Sequence, residues 1–424
     1  MFNILTGSSV IYAIAIVSMC GVVVRPWNFS EALWASAGAA LLVLLGLVPW
    51  REACAAIGKG ADVYMFLVGM MLLSELARRE SLFDFLAAVC VRKARGSANR
   101  LFLLVYGVGT LVTIFMSNDA TAVVLTPAVL AVSRKAKLAP LPYLLVCAFI
   151  ANAASFVLPI SNPANLVIFG QHLPSLGEWV WRFSVPSMLA ICATYWVLKR
   201  LFRSDLANEM ARDIEVPLLS GPGKLAAAGV VLTVGVLLGA SALGLALGLP
   251  TLLAAGCACV ALLIYKWESP WHVIQHVSWS VLALVAGLFV LVEGLQRAGL
   301  LSALTKLLHT AAATSTAGAA LAAGAAIAFA SNLMNNLPAG LIAGSVMTGS
   351  GVSPVIQSAI AIAVDLGPNL SVTGSLATIL WLVAIRREGE NVSAWQFLKV
   401  GAIAMPAALF LALLGLLLQA AIAR

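Results

Sequence analysis

Two acidic residues sit in sequence that is otherwise apolar. Asp119 follows Ser117 and Asn118 and precedes Thr121, while Asp365 heads a run containing Asn369, Ser371, Thr373 and Ser375. A carboxylate in such surroundings costs several kcal/mol (~3 by insertion scales) unless it is paired, hydrated or protonated. No lysine or arginine lies in the adjacent apolar stretches to neutralise either one. Both acids therefore suit a group that binds and releases a proton. The alternative for each is a helix cap, a role aspartate also fills well. Two amide clusters accompany them: Asn162 and Asn165 in ISNPAN (160–165), and Asn335 and Asn336 ahead of Pro338. Together the four clusters offer amide and hydroxyl donors and acceptors.

The elements carrying these residues must lie in a membrane. The chain has 424 residues, 62% hydrophobic and 10% charged, against about 25% charged in soluble domains. Too little polar surface remains to cover a globule, which excludes a soluble enzyme, a nucleic-acid binder and a disordered chain. Apolar runs near 4–24, 31–49, 60–77, 140–170, 179–201, 224–247, 250–266, 277–297, 353–384 and 394–422 each approach the ~20 residues a spanning helix needs. Trp27, Trp50, Trp179, Trp181, Trp267, Trp279, Trp381 and Trp395 lie near their ends, where interfacial indoles belong. Two more stretches, 100–133 and 318–348, are broken midway by the Ser117 and Asn335 clusters. Lipid cannot satisfy the backbone at such a break, so both are expected to be re-entrant hairpins with polar tips. Pro163 and Gly367-Pro368 interrupt long spans, which predicts discontinuous helices there.

The two halves resemble each other. At an offset of 218, Gly69 aligns with Gly287, Glu75 with Glu293, Arg79 with Arg297, Met116 with Met334 and Asn118 with Asn336. The offset falls to about 213 where Ser161–Asn165 meets Gly374–Thr378. The expected fold is an all-α polytopic protein of about ten spans in two inverted-topology repeats. Residues 1–203 and 224–424 form the repeats, and 204–223 is a solvated cytoplasmic linker. With the hairpins returning to their own side, nineteen of the 25 lysines and arginines fall on one face. That face is then cytoplasmic and both termini are periplasmic. No basic n-region precedes the first apolar run, so it is expected to be retained.

Other candidate chemistry is weaker. Glu75 and Glu293 each have an arginine four residues on, which suits helix-orienting ion pairs. Cys257 and Cys259 would point to opposite sides of a helix, and His272 with His276 lack a third ligand, so no metal site is expected. The seven cysteines have no framework spacing. A phosphate-binding loop is missing from the sequence, so the chain is not expected to hydrolyse ATP.

Four motifs carry a family resemblance: FMSNDATAVVLTPAVLA (115–131), SFVLPISNPANLVIFG (155–170), NNLPAGLIAG (335–344) and DLGPNLSVTGSLATILW (365–381). They resemble the ArsB family of arsenite and antimonite efflux permeases, members of the ion transporter superfamily. The resemblance implies a bacterial inner-membrane secondary transporter that exports trivalent arsenic and antimony, driven by protons and conferring arsenic resistance. It implies no cofactor and no nucleic-acid partner. Some members dock a separate ATPase of the ArsA type, for which the basic loops 78–100, 134–137 and 199–224 are candidates. Trivalent arsenic near neutrality is mainly an uncharged trihydroxide. Ser117, Asn118, Thr121, Asn162, Asn165, Asn335, Asn336, Asn369, Ser371, Thr373 and Ser375 would bind it, with Asp119 and Asp365 coupling protons. Two readings of other substrates remain open: a sodium-coupled dicarboxylate carrier and a sodium/proton antiporter of the same superfamily. Against the first, an acid at position 119 repels a dianion.

Overall fold

A computed structural model describes residues 2–208, 210 and 218–422, and among them the chain is mostly helical, with short turns and irregular segments between the helices. Twenty α-helices fall into two sets of ten. The first set comprises α1 (Phe2–Val24), α2 (Glu31–Leu44), α3 (Trp50–Lys59), α4 (Ala61–Arg79), α5 (Leu82–Ala94), α6 (Ala98–Met116), α7 (Thr126–Lys135), α8 (Leu141–Ala153), α9 (Pro163–Phe169) and α10 (Leu176–Leu201). The second comprises α11 (Gly221–Ala242), α12 (Gly248–Lys266), α13 (Trp271–Ile274), α14 (Trp279–Arg297), α15 (Leu300–Thr314), α16 (Thr316–Met334), α17 (Asn336–Ser350), α18 (Pro354–Leu366), α19 (Leu376–Arg387) and α20 (Ala394–Ile422). Every helix of the first set has its counterpart ten places on.

The ten predicted spans fall on α1, α2, α4, α8 with α9, α10, α11, α12, α14, α18 with α19, and α20. Among the described residues, seven helices are long and apolar enough to cross a bilayer, or eight if α3 and α4, bent by 49° at Gly60, count as one span. Two of the seven, α6 and α16, are the leading arms of the hairpins. Helices α3, α5 and α15 add elements that the apolar runs do not mark. They are short and mix apolar with charged residues, as in Arg92 and Lys93 at the end of α5. Positions 209 and 211–217 of the predicted linker lie outside the described residues, as do Arg212 and Arg424 of the charge count.

Local chemistry sets the hairpins. Ser97 caps α6 by accepting from the Arg100 amide, and its repeat mate Ser315 caps α16 by accepting from the Gly318 amide. Each satisfies a backbone donor that the first turn leaves free. Helices α8 and α18 are buried on nearly every side, which marks them as inner helices wrapped by protein and not by lipid.

The two sets interleave. Helix α14 packs on α2 and α12 on α4, α17 packs on α9 and α19 on α7, and α10 lies along α20. Glycine makes two of these crossings possible. A Cβ at Gly69 would sit 2.8 Å from the Thr251 backbone, and one at Gly287 2.7 Å from that of Ala35. Gly69→Val or Gly287→Val should therefore overpack a helix crossing and cost about 1–3 kcal/mol. A lowered melting temperature in detergent checks this, and unchanged melting refutes it.

Two of the predicted interfacial indoles are corrected. Trp179 and Trp381 are fully buried, and each donates Nε1 to a carbonyl, of Phe156 and Leu144 respectively. Trp179 lies in the first turn of α10 and Trp381 midway along α19, each on the side facing protein, so proximity to a span's end did not place them at an interface. Trp27, Trp50, Trp181, Trp267, Trp279 and Trp395 are exposed.

Candidate functional site

Both hairpins turn on a non-glycine residue with positive φ. Ser117 has φ 127° and ψ 162°, and its repeat mate Asn335 has φ 76° and ψ 154°. Side-chain-bearing residues rarely occupy this region, and doing so costs about 1–3 kcal/mol. Local bonds hold each turn: Ser117 Oγ accepts from the Ala120 amide at 3.4 Å and Asn335 Oδ1 from the Leu337 amide at 3.3 Å. Ser117→Val should destabilise the tip, whereas Ser117→Gly should be tolerated. Comparing their melting temperatures tests the strain, and equal values refute it.

Beyond the first tip the chain makes a π-helical turn, Ala120–Leu125, before α7 begins. Its spare carbonyl at Thr121 accepts from Thr126 Oγ1 at 3.1 Å, and the Thr121 hydroxyl lies 2.8 Å from that of Thr113. Insertions of this kind often occur at functional sites. The second hairpin has no such turn, since α17 starts directly at Asn336. The extra residue accounts for part of the fall in the repeat offset.

The two tips meet the two broken spans at a pocket lined by Leu67, Asn118, Asp119, Asn162, Pro163, Val281, Asn336, Leu337, Leu376 and Ala377. The lining is two-fold in character: Asn118 is the mate of Asn336, Asp119 of Leu337, and Pro163 of Leu376. Helices α9, α17 and α19 all begin here, at Pro163, Asn336 and Leu376. Their N-terminal ends carry partial positive charge toward the pocket. Its free volume is about 10 Å³, roughly the room for one water.

Three lining groups are unsatisfied. The amide oxygens of Asn118 and Asn336 are buried without a partner. No hydrogen bond or ion pair engages Asp119 among the described residues, and this acid is half-buried. None of the lining residues is basic. Among the described residues the pocket thus holds one acid without an ion-pair partner, two idle amide oxygens and apolar walls. It can bind a small solute that brings its own hydroxyl donors.

Of the sequence-identified residues, Asn118, Asp119, Asn162 and Asn336 line the pocket, and the others lie around it. Ser117 and Asn335 shape the tips. Thr121 faces Thr113 and the Gly109 carbonyl inside the first hairpin. Asn165 donates to the Ser155 carbonyl. Asn369 donates to the Phe149 carbonyl and accepts from Asn152, whose Oδ1 in turn accepts from Ser375. Ser371 and Thr373 bond Asn332. Asp365 is fully buried behind Asn162, which donates to it at 2.7 Å. Pro163, marked in the sequence as a break, forms part of the wall, whereas Leu67, Val281, Leu337, Leu376 and Ala377 had no signal beyond being apolar.

The expected four-residue ion pairs are also corrected. Glu75 pairs with Arg78 at 2.7 Å, and Arg79 reaches Glu268 at 2.5 Å. In the second set Glu293 pairs with Lys59 at 3.0 Å and Arg297 with Glu52 at 2.8 Å. Glu75 takes the arginine one residue nearer on its own helix, while Arg79, Glu293 and Arg297 find partners that other segments bring closer. Lys266, followed by Arg79, holds the Glu268 carboxyl below its usual range. Among the described residues no group of three or more histidine, cysteine or acidic side chains could hold a metal ion.

A small polar pocket where two helix hairpins meet two broken helices, inside a helical membrane protein, defines a transporter. The chain belongs to the CitMHS family, described as citrate transporters, whose profile matches residues 14–365. The arsenical pump membrane protein of Yersinia enterocolitica is 28% identical over 366 residues, covering 83% of this chain and 85% of that protein. The arsenical pump membrane protein of Escherichia coli strain K12 is 27% identical over 426 residues, covering 96% and 98%. These relatives bear out the ArsB resemblance of the four motifs. The YdaH transporter of Alcanivorax borkumensis superposes with a TM-score of 0.61 at 15% identity over 97% of both chains, so the two share a fold.

Proposed function

We propose that the protein exports trivalent arsenic and antimony, as neutral trihydroxides, from the bacterial cytoplasm in exchange for protons. The observation that carries this reading is a pocket with one unpaired acid and two unpartnered amide oxygens but no basic residue among the described residues. A trihydroxide donates to Asp119 and the amide oxygens, and accepts from amide nitrogens and helix N-termini. A proton on Asp119 removes an acceptor and its charge, so proton and solute compete for one site. Competition of that kind gives exchange when the pocket opens alternately to the two sides. The two relatives named as arsenical pumps support the choice of cargo.

Citrate, named in the family description, fits this pocket poorly. A polycarboxylate needs several cationic or donor groups, and Asp119 repels it. With room for about one water, the pocket is smaller than any of these solutes, so loading requires the hairpins and broken helices to move against the remaining spans. They would do so as re-entrant elements within the bilayer of the inner membrane. An ArsA-type ATPase on the basic loops is not needed for this cycle. Trivalent arsenic uptake into sodium-free proteoliposomes tests the reading. Uptake should follow an imposed pH gradient, and uptake that ignores the gradient or requires sodium refutes proton exchange.

A further inference from the structure

Two contacts join a broken helix of one set to the inner helix of the other, and they are two-fold mates. On one side Ser375, the N-cap of α19, donates to Oδ1 of Asn152 on α8 at 3.3 Å. On the other side Asn162, the N-cap of α9, donates Nδ2 to Oδ1 of Asp365 on α18 at 2.7 Å. Asn152 and Asp365 hold the same place in helices of 13 residues each, and both are fully buried. One is a permanent amide and the other a titratable carboxyl. Asn152 makes a further bond to Asn369, whereas Oδ2 of Asp365 has no partner.

The surroundings leave Asp365 to respond alone. Packed against α18 are α16, α17, α20, α8, α9 and the turn at 367–370. Helices α16, α17 and α9 and that turn carry no titratable residue. On α8, Tyr143 donates to the Ala98 carbonyl and Cys147 is buried. On α20, Lys399 lies over the Trp395 ring. Among the described residues none of these bonds or pairs with Asp365.

We propose that Asp365 is a proton-sensitive positioning residue that acts on the pocket through Asn162. Asn162 lines the pocket, whereas Ser375 does not. Its Oδ1 also accepts from the Ala164 amide at 3.0 Å and so fixes the start of α9. An ionised Asp365 holds Asn162 by a charge-assisted bond, about twice as strong as a neutral one, and 2.7 Å is short for an N–H···O bond. A proton on the free Oδ2 removes that assistance, loosening Asn162 and the N-terminus of α9 together. Loss of one such bond weakens solute binding by about three- to tenfold, with the same sign as direct competition at Asp119. That consequence for the cargo rests on the proposed transport reading, but the contact itself does not.

Deuterium uptake over 160–169 in the purified full-length protein, without solute, tests it. After correction for intrinsic pH dependence, uptake is expected to be about threefold higher or more at mildly acidic than at mildly alkaline pH. Asp365→Asn, which recreates the neutral Asn152 arrangement, should fold and remove the difference, while Asp365→Glu should retain one. An unchanged difference in Asp365→Asn overturns the proposal. So does a wild-type protein without a difference, which decides the matter even if Asp365→Asn does not fold. Failure of arsenic uptake in proteoliposomes would remove the proposed cargo and leave this exchange result standing.

Discussion

Asp119→Asn is expected to abolish accumulation driven by a pH gradient while preserving exchange of solute for solute. The two side chains have nearly the same shape, and an asparagine amide still offers an acceptor to the cargo. The variant cannot exchange a proton, so nothing links solute movement to the gradient. Gradient-driven accumulation should fall to the level of empty liposomes, about 100-fold or more if coupling rests on this single site. Counterflow, in which labelled trivalent arsenic outside exchanges for unlabelled solute inside, should survive. Asp119→Leu copies the residue that its mate Leu337 places on the other side of the pocket. That variant should lose both activities, because the pocket then has no acceptor there. In the wild type, acidifying the receiving side speeds release by protonating Asp119, and acidifying the loading side slows uptake. A gradient response retained in Asp119→Asn would move coupling elsewhere, with Asp365 the first alternative.

The breaks in the apolar runs were readable from the sequence, but side-chain direction was not. Ser117, Asn118 and Asp119 interrupt an apolar run, as do Asn335, Asn336 and Pro338, and lipid permits such interruptions only where protein covers them. Both tips and both broken spans were therefore legible. Side-chain aim depends on which helix crosses which, and Thr121, Asn369, Ser371, Thr373 and Ser375 illustrate the difficulty. Each is polar and close to a break, yet each satisfies backbone or side-chain partners beside the pocket. Apolar walls such as Leu67 and Val281 look like any other residue of a spanning helix. The π turn after Asp119 left only an indirect mark, the slip in the repeat offset. Trp179 and Trp381 show the converse error, in which a rule about interfaces was applied to side chains that face protein. The interleaving of the two sets explains these misses together. Contacts between α2 and α14, or between α7 and α19, link residues more than 200 positions apart, and no local pattern announces them.

The second large effect concerns the amide pair. Asn118→Ala and Asn336→Ala are each expected to raise the half-saturating concentration of trivalent arsenic about tenfold, the equivalent of about 1.4 kcal/mol. Each removes a group whose oxygen has no protein partner, so the protein loses little of its own bonding and the loss falls on the cargo. The double variant should lose about 100-fold if the amides act independently, and less if both grip one hydroxyl. Stability separates this from a structural role. Among the described residues the side chains of Asn118 and Asn336 make no hydrogen bond that holds the fold together, so melting temperatures should move little. Asn369→Ala reverses the pattern, because Asn369 donates to the Phe149 carbonyl and accepts from Asn152 at full burial. Removing it leaves buried groups unsatisfied at about 1–3 kcal/mol, so it should lower the melting temperature and leave the affinity of the surviving protein close to wild type. Equal stability losses in all three variants would show that Asn118 and Asn336 are framework residues. Affinity loss confined to the two tip asparagines would show that the hairpins, meeting from opposite repeats, present the cargo with one shared site.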